Sequence, residues 1–510
     1  MTFVPDDPFN VFDYFLGDRI AEGLGARRAL LTDGGETTYR EVFEASGRYA
    51  AYLLDSGVRP GERVLVALPD GREYVAALFG ILRMGGVVVM VNPQLNADQL
   101  RYFYEYTTPA AALVDALAMS TFRSAAQGAA HAPRLIEVGG GPLAQRLAGT
   151  DAEVEVHPTS ANDPAIFLFS GGTTGNPKAV VQTHRSFANT TELYGKGVLG
   201  LAADDITLAV PKLFFGYATG TNLFFPFAVG ATSALFAERC TVETLFARID
   251  AFRPTVLVNV PTMVNSLVGH PDAPRHDLSS LRLATSAGEA LPVELHRRWD
   301  ERFGVPLLDG LGTAEMWHIF ISNRPDDVRP GTLGKAVDGF EVRACDDAGD
   351  DVPAGQVGIM RVRGDSLALG YWQDEARTRV AFRDGWYVSG DMISIDADGY
   401  VTYAGRADDM LKVSGKWLSP QELESCLLEH EAVREAVVVG VRTPEGLVKP
   451  SAFVVLADGA EATDAIAAEL QAWAKNRLEP YKYPREVVFM DALPRTHLGK
   501  VDRGTLARSR

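Results

Sequence analysis

Hydrophobic and polar positions repeat along this chain with two periods, and the places where the period changes mark its organisation. Residues 63–68 (RVLVAL) make a short apolar run of the kind a buried strand shows, and residues 73–84 repeat apolar positions at helical spacing. Residues 87–91 return to a strand run. Asn96 stands where a helix cap is wanted, with Asp98 in the first turn behind it. Strand-sized runs recur at residues 111–114, 166–169, 255–259 and 281–286. This alternation predicts mostly parallel sheets covered by helices. From residue 331 to 403 short alternating runs sit between turn signals, which predicts a compact all-β region of hairpins or a small barrel. A helix at 420–429, strands at 436–441 and 451–456, a helix at 463–478 and a strand at 485–489 then predict a further small α/β unit. The fold class expected is α/β: a large N-terminal domain, residues 1–407, of mixed, mostly parallel sheets with a small β-barrel-like subdomain, and a small C-terminal domain, residues 408–510.

Composition narrows the function. At 510 residues the chain exceeds one ordinary domain, and 46% hydrophobic with 23% charged residues is globular usage. A net charge of -17 speaks against a general nucleic-acid partner, which needs a basic surface. It leaves room for an anionic ligand held by local cations and backbone N–H groups. Cys240, Cys345 and Cys426 are too scattered for a disulfide framework or a metal-binding CxxC pair. The first residues carry acids where a signal peptide carries positive charge, and no apolar run reaches the ~18 residues of a membrane span. A cytoplasmic protein without a membrane partner is expected, monomeric or homodimeric.

The chemistry is concentrated in residues 165–184, AIFLFSGGTTGNPKAVVQTH. A strand ends at Ser170, and Gly171, Gly172, Thr173, Thr174, Gly175 and Lys178 follow. Glycines let backbone N–H groups approach an anion, threonine hydroxyls add donors, and the lysine supplies countercharge. The spacing is not that of a Walker A loop. The stretch resembles the phosphate loop of the adenylate-forming superfamily, which comprises acyl- and aryl-CoA synthetases, adenylation domains and luciferases. Further matches follow in the superfamily's order: SAGE at 286–289, DGLGTAE at 309–315, YVSGDM at 387–392, GRADDMLK at 405–412 and PRTHLGKVDR at 494–503.

The resemblance implies a two-step reaction. An acid and ATP with Mg²⁺ give an acyl adenylate and pyrophosphate, and a thiol then displaces AMP as a mobile C-terminal domain rotates. Carried over residue by residue, it implies that Ser170 to Gly175, Ala287, Gly288, Glu289, Asp309, Gly310, Leu311, Gly312 and Thr313 contact the nucleotide. Asp391 would hold the ribose and Arg406 would contact the nucleotide at the domain boundary. Glu315 and Thr174 would hold the metal, and Lys178 and Lys500 would be catalytic with Glu315. Asp408 would be the hinge, and Lys412 and Gly415 would lie along the CoA tunnel. Two departures stand out: Gly171 where many members have serine, and Ala314 where a threonine commonly precedes the metal-binding glutamate.

GTAEMWHIFISN at 312–323, PKLFFGYATG at 211–220 and KVSGKWLSP at 412–420 resemble the benzoate-CoA ligase group. That resemblance implies that Gly216, Tyr217, Phe225, Gly312, His318 and Ile319 line a flat aromatic pocket, with Phe215 as a gate. Gly216 stands where benzoate-specific members carry alanine, which leaves room for a ring substituent. The expected substrates are a small aromatic carboxylic acid, with 2-aminobenzoate or a hydroxybenzoate ahead of plain benzoate, together with ATP and CoA. A carrier-protein phosphopantetheine as the acceptor, which the SGGTTG loop favours, is the alternative, and a silent adenylate-binding scaffold a third.

Overall fold

A computed structural model describes residues 5–139, 141–170, 176–407, 410–413, 416–442, 448–457, 459–495 and 501–509. The strands Arg63–Ala67 and Val87–Met90 form because runs of branched apolar residues are covered on both faces, with all four residues of the second buried. The helix Arg72–Arg83 crosses between them, and they pair in parallel. Helix starts are encoded locally. Asn96 and Gln99 form a reciprocal capping box ahead of Ala97–Thr107, and Thr38 and Glu41 do the same ahead of Tyr39–Asp55.

Among the described residues the strands assemble into two large mixed sheets. The seven-stranded sheet is parallel through Val87–Met90, Arg63–Ala67, Ala111–Asp115 and Arg134–Val138. At its other end Pro164–Ser170 and Lys178–Thr183 form an antiparallel hairpin. The nine-stranded sheet carries Ile206–Ala209, Val256–Asn259, Leu283–Ser286 and Leu307–Gly312 as parallel neighbours, closed by antiparallel Ile319–Ser322. One hydrophobic core joins the two: Val64 and Val88 from one sheet and Val258 and Leu308 from the other belong to a single buried cluster. Aromatic packing fills the seam, with Phe15 stacked on Phe224 at 4.3 Å and Phe187 edge-on to Trp317 at 4.3 Å between ring centroids.

The region expected to be all-β holds a five-stranded antiparallel sheet, including Glu341–Cys345, Val357–Arg363, Trp386–Ile395 and Val401–Arg406. It differs from the expectation in three places. Lys335–Ala336 joins the nine-stranded sheet, Gly370–Tyr371 joins the seven-stranded one, and the helix Glu375–Ala381 lies between Gly370–Tyr371 and Trp386–Ile395. Two-residue strands show no periodicity of their own, and their partners define them.

The C-terminal unit has its own core. The helices Pro420–Leu428 and Asp464–Arg477 cover one face of the sheet Val433–Arg442, Val448–Leu456, Glu486–Phe489, while Leu506 from Arg503–Arg508 packs on the other. No helix among the described residues is long and apolar enough to cross a membrane.

Candidate active site

The strands Pro164–Ser170 and Lys178–Thr183 pair antiparallel, with Ser170 and Lys178 opposed in register. Gly171, Gly172, Thr173, Thr174 and Gly175 lie outside the described residues, as do Asp408, Gly415 and Lys500, while only the backbone of Lys412 is described. Glu315 is the middle residue of the short turn Ala314–Met316, which follows the strand Leu307–Gly312 after Thr313. Its carboxylate is buried, and Oε1 accepts a hydrogen bond of 2.8 Å from the Tyr371 hydroxyl. Lys178 Nζ stands 4.9 Å from the Tyr371 ring centroid, so the loop cation and the carboxylate meet on one tyrosine. Thr313 caps this turn, its Oγ1 accepting from the N–H of Met316 at 3.3 Å. Thr313 is therefore tied into the local turn, and Ala314 next to it brings no hydroxyl.

Asp391 and Arg406 lie opposite each other on neighbouring strands, with Arg406 Nη1 3.5 Å from Asp391 Oδ1. The Ser389 hydroxyl donates to Asp391 Oδ2 at 2.5 Å and the Tyr403 hydroxyl to Oδ1 at 3.0 Å. A carboxylate offers about four lone-pair directions, so Oδ2, which accepts from Ser389, keeps capacity for a further donor. Ala287, Gly288 and Glu289 follow the strand Leu283–Ser286. Gly288 is left-handed at φ +88, and Glu289 Oε2 accepts from Thr262 Oγ1 at 2.6 Å. Asp309, on the neighbouring strand, is buried, and desolvation raises its carboxyl well above the usual carboxylate range.

Gly216, Tyr217, Phe225, Gly312, His318 and Ile319 come together. Ile319 opposes Gly312 across the antiparallel pair, and a Cβ on Gly312 would meet the His318 carbonyl oxygen at 2.4 Å, so only glycine permits that approach. The His318 ring packs edge-on to Phe225, 4.7 Å between centroids, and tilted against Tyr217 at 5.4 Å. Its Nε2 lies 3.0 Å from the Tyr217 carbonyl oxygen. A carbonyl only accepts, so Nε2 carries the proton. Burial pushes the imidazole pKa down to about 3, so the ring is neutral and Nδ1 presents a lone pair. Among the described residues, Nδ1 is buried and has no hydrogen-bond partner. Beside Gly216, a Cβ would meet Leu168 at 3.4 Å and Trp317 at 3.6 Å. Phe215, the residue expected at the gate, is 36% exposed, whereas Phe225 is fully buried.

Several residues at the site were not foreseen: Tyr371 on Glu315, Ser389 and Tyr403 on Asp391, Leu168 and Trp317 beside Gly216, and Thr285, whose Oγ1 lies 2.5 Å from the Tyr217 hydroxyl. Ser389 lies inside the aspartate motif and could have been read from its neighbour. Leu168 and Trp317 likewise lie inside the stretches at 165–184 and 312–323, whereas Tyr371, Tyr403 and Thr285 come from outside the motifs.

The family profile of AMP-binding enzymes matches residues 18–372, and that of the AMP-binding enzyme C-terminal domain matches residues 422–500. The chain is 39% identical over 500 residues to the benzoate–CoA ligase of Thauera aromatica, covering 97% of this chain and 95% of that one. Its fold superposes on the crystal structure of the anthranilate CoA ligase AuaEII in complex with anthranoyl-AMP with a TM-score of 0.95, at 35% identity over 99% of this chain and 98% of that chain. A benzoate CoA ligase from Burkholderia xenovorans LB400 gives a TM-score of 0.91 at 38% identity, over 98% of this chain and 100% of that chain. The chain belongs to the AMP-binding enzyme family. Within it, the chain is an AMP-forming acid–thiol ligase.

Proposed function

We propose that the protein is an ATP-dependent aryl-CoA ligase whose acid is a benzoate bearing a hydrogen-bond donor on the ring, 2-aminobenzoate or a hydroxybenzoate. The observation that carries this reading is the bare Nδ1 of a neutral, buried His318 within the aromatic cluster. A buried acceptor without a donor costs about 1–3 kcal/mol, which an amino or hydroxyl substituent can recover and an unsubstituted ring cannot. Gly216 adds room on the same wall. Relatives named for benzoate and for anthranilate support the substrate class.

The donor set suits ATP. Glu315 offers a hard oxygen whose partner oxygen is already held by Tyr371, and Lys178 Nζ stands 4.9 Å from the centroid of the same tyrosine ring. Magnesium bound there with Thr174 would neutralise the phosphate oxygens and orient pyrophosphate for departure. Asp391 would accept from the ribose hydroxyls while Ser389, Tyr403 and Arg406 fix its plane. The substrate carboxylate, placed by Tyr217, Phe225 and Ile319, attacks the α-phosphorus, and Lys500 would stabilise the charge that builds there. The small domain, taken as residues 408–510, would turn at Asp408, bring Lys412 and Gly415 to the pantetheine arm past Phe215, and let the thiol displace AMP.

CoA is the proposed acceptor, and three unpaired cysteines suit a cytoplasmic setting. AMP release from ATP and 2-aminobenzoate, with and without CoA, tests the reading in wild type and in Lys500→Ala. CoA-dependent turnover that collapses in the variant supports it. Adenylate that forms but is not discharged faster by CoA replaces it with carrier loading.

A further inference from the structure

The strand Lys178–Thr183, which leaves the phosphate loop, has a second neighbour besides its hairpin partner. Gly370–Tyr371 pairs with it antiparallel, Gly370 opposite Val181 and Tyr371 opposite Val180. The short strand is locked at both ends. The Leu369 N–H donates to the Val181 carbonyl at 3.0 Å and the Trp372 N–H to the Ala179 carbonyl at 2.8 Å. The Trp372 indole N–H donates to the Tyr106 carbonyl at 3.0 Å, and the Tyr106 hydroxyl donates back to the Trp372 carbonyl at 2.8 Å. The Tyr371 N–H donates to Thr378 Oγ1 at 2.9 Å, and a Cβ at left-handed Gly370 would collide with Thr378 at 2.5 Å. All this fixes one ring, whose hydroxyl reaches the buried carboxylate of Glu315 and whose ring stands near Lys178 Nζ.

We infer that Tyr371 is a positioning residue for the adenylate-forming half of the reaction alone: it ties down Oε1 of Glu315, turns Oε2 toward the metal that accompanies ATP, and stations the Lys178 ammonium beside the same phosphates. The inference rests on the proposed metal role of Glu315. Its physical content is an asymmetry. A carboxylate held through one oxygen by a rigid donor presents the other at a defined angle, whereas a free carboxylate must be ordered by each incoming metal. Displacement of AMP by a thiol follows the departure of pyrophosphate, whose charge the metal would neutralise, so that half-reaction would make no use of this arrangement.

Tyr371→Phe keeps the ring and removes only the hydroxyl. One hydrogen bond to a charged group corresponds to roughly tenfold or more. The half-saturating Mg²⁺ concentration for adenylate formation is expected to rise about tenfold, with the rate largely restored at high Mg²⁺. Binding of Mn²⁺ in the presence of ATP, read by electron paramagnetic resonance without turnover, should weaken by a similar factor. The rate of thioester formation from chemically prepared aryl adenylate and CoA, in EDTA, should equal that of wild type, which also shows that the variant is folded. Equal loss in both half-reactions with unchanged Mn²⁺ affinity would overturn the inference and leave Tyr371 a structural residue. Glu315→Gln separates the two levels: unchanged Mn²⁺ affinity in that variant removes the metal role itself, whatever Tyr371→Phe does.

Discussion

His318 donates through Nε2 to the carbonyl of Tyr217 at 3.0 Å, a bond that joins segments 101 residues apart and fixes the tautomer of a ring in the aromatic cluster. The proton on Nε2 makes Nδ1 an acceptor, and that polarity is the basis for expecting a donor-bearing acid. His318→Leu should lower the kcat/KM ratio of the preferred substituted acid to benzoate by about tenfold, the worth of one such bond, while KM for ATP stays within twofold. An unchanged ratio would remove His318 from recognition. Since the imidazole titrates at about 3, it should contribute no limb to the pH profile of wild type between about pH 5 and 8.

Gly216→Ala tests the space on the same wall. The added methyl meets Leu168 and Trp317 at ordinary contact distance, and Gly216 opens the helix Gly216–Thr219, so the fold should accept it with little change in Tm. One methyl group in a pocket is worth about 10-fold or more in discrimination. The variant should therefore shift from the substituted acid toward plain benzoate by about that factor, measured as the ratio of kcat/KM values.

Asp391→Asn removes the charge that Arg406 pairs with and one of the acceptor sites offered to Ser389 and Tyr403. Charge-assisted hydrogen bonds are about twice as strong as neutral ones. KM for ATP should rise at least about tenfold, with a smaller change in KM for the acid, in steady-state kinetics of AMP formation.

The end of the chain is anchored by Arg503, which grips both oxygens of Glu424 at 2.6 and 2.8 Å and donates to the Val438 carbonyl at 2.8 Å. Glu424 is buried and also accepts from the Val438 N–H. Arg503 is one-third exposed, which moderates the pair's worth. Arg503→Ala should still cost about 2 kcal/mol of stability in the small domain, since it strands a buried carboxylate. Because Lys500 is three positions away in sequence, adenylate formation should fall too. Denaturant unfolding and pyrophosphate release measure the two effects.

His184 gives a pH signature for the N-terminal core. Its Nδ1 accepts from the Val11 N–H at 3.1 Å, and burial pushes its pKa down to about 4. The unfolded chain takes up a proton below about 6.5 and the folded chain does not, so this residue's contribution to stability falls as pH drops from about 6.5 to 4. At pH 5 the loss is about 1.5 pK units, or about 2 kcal/mol. The stability of wild type relative to His184→Gln should therefore decline by about 2 kcal/mol between pH 7 and pH 5 in urea titrations. A pH-independent difference would mean that the imidazole titrates in the native core as it does in the unfolded chain.

What the sequence made legible was local. The Asn96 cap, the strand run at 87–91 and the strand that ends at Ser170 follow from short patterns, and the fold places them accordingly. The long-range partners of the site residues follow from no local pattern. Tyr371 reaches Glu315 across 56 residues from a two-residue strand, and Thr285 reaches Tyr217 across 68. Their positions depend on sheet order, which hydrophobic periodicity does not encode. Trp317 adds a further case. It carries a left-handed φ of 68 in a bulky residue between Glu315 and His318, a conformation that tertiary packing imposes on the chain.

The most direct measurement is kcat/KM for CoA-dependent AMP formation with benzoate, 2-aminobenzoate and the three hydroxybenzoates, under one set of conditions. The pocket described here should favour at least one donor-bearing acid over benzoate by about tenfold. Benzoate turned over as well as or better than every substituted acid would contradict the reading of His318 and Gly216.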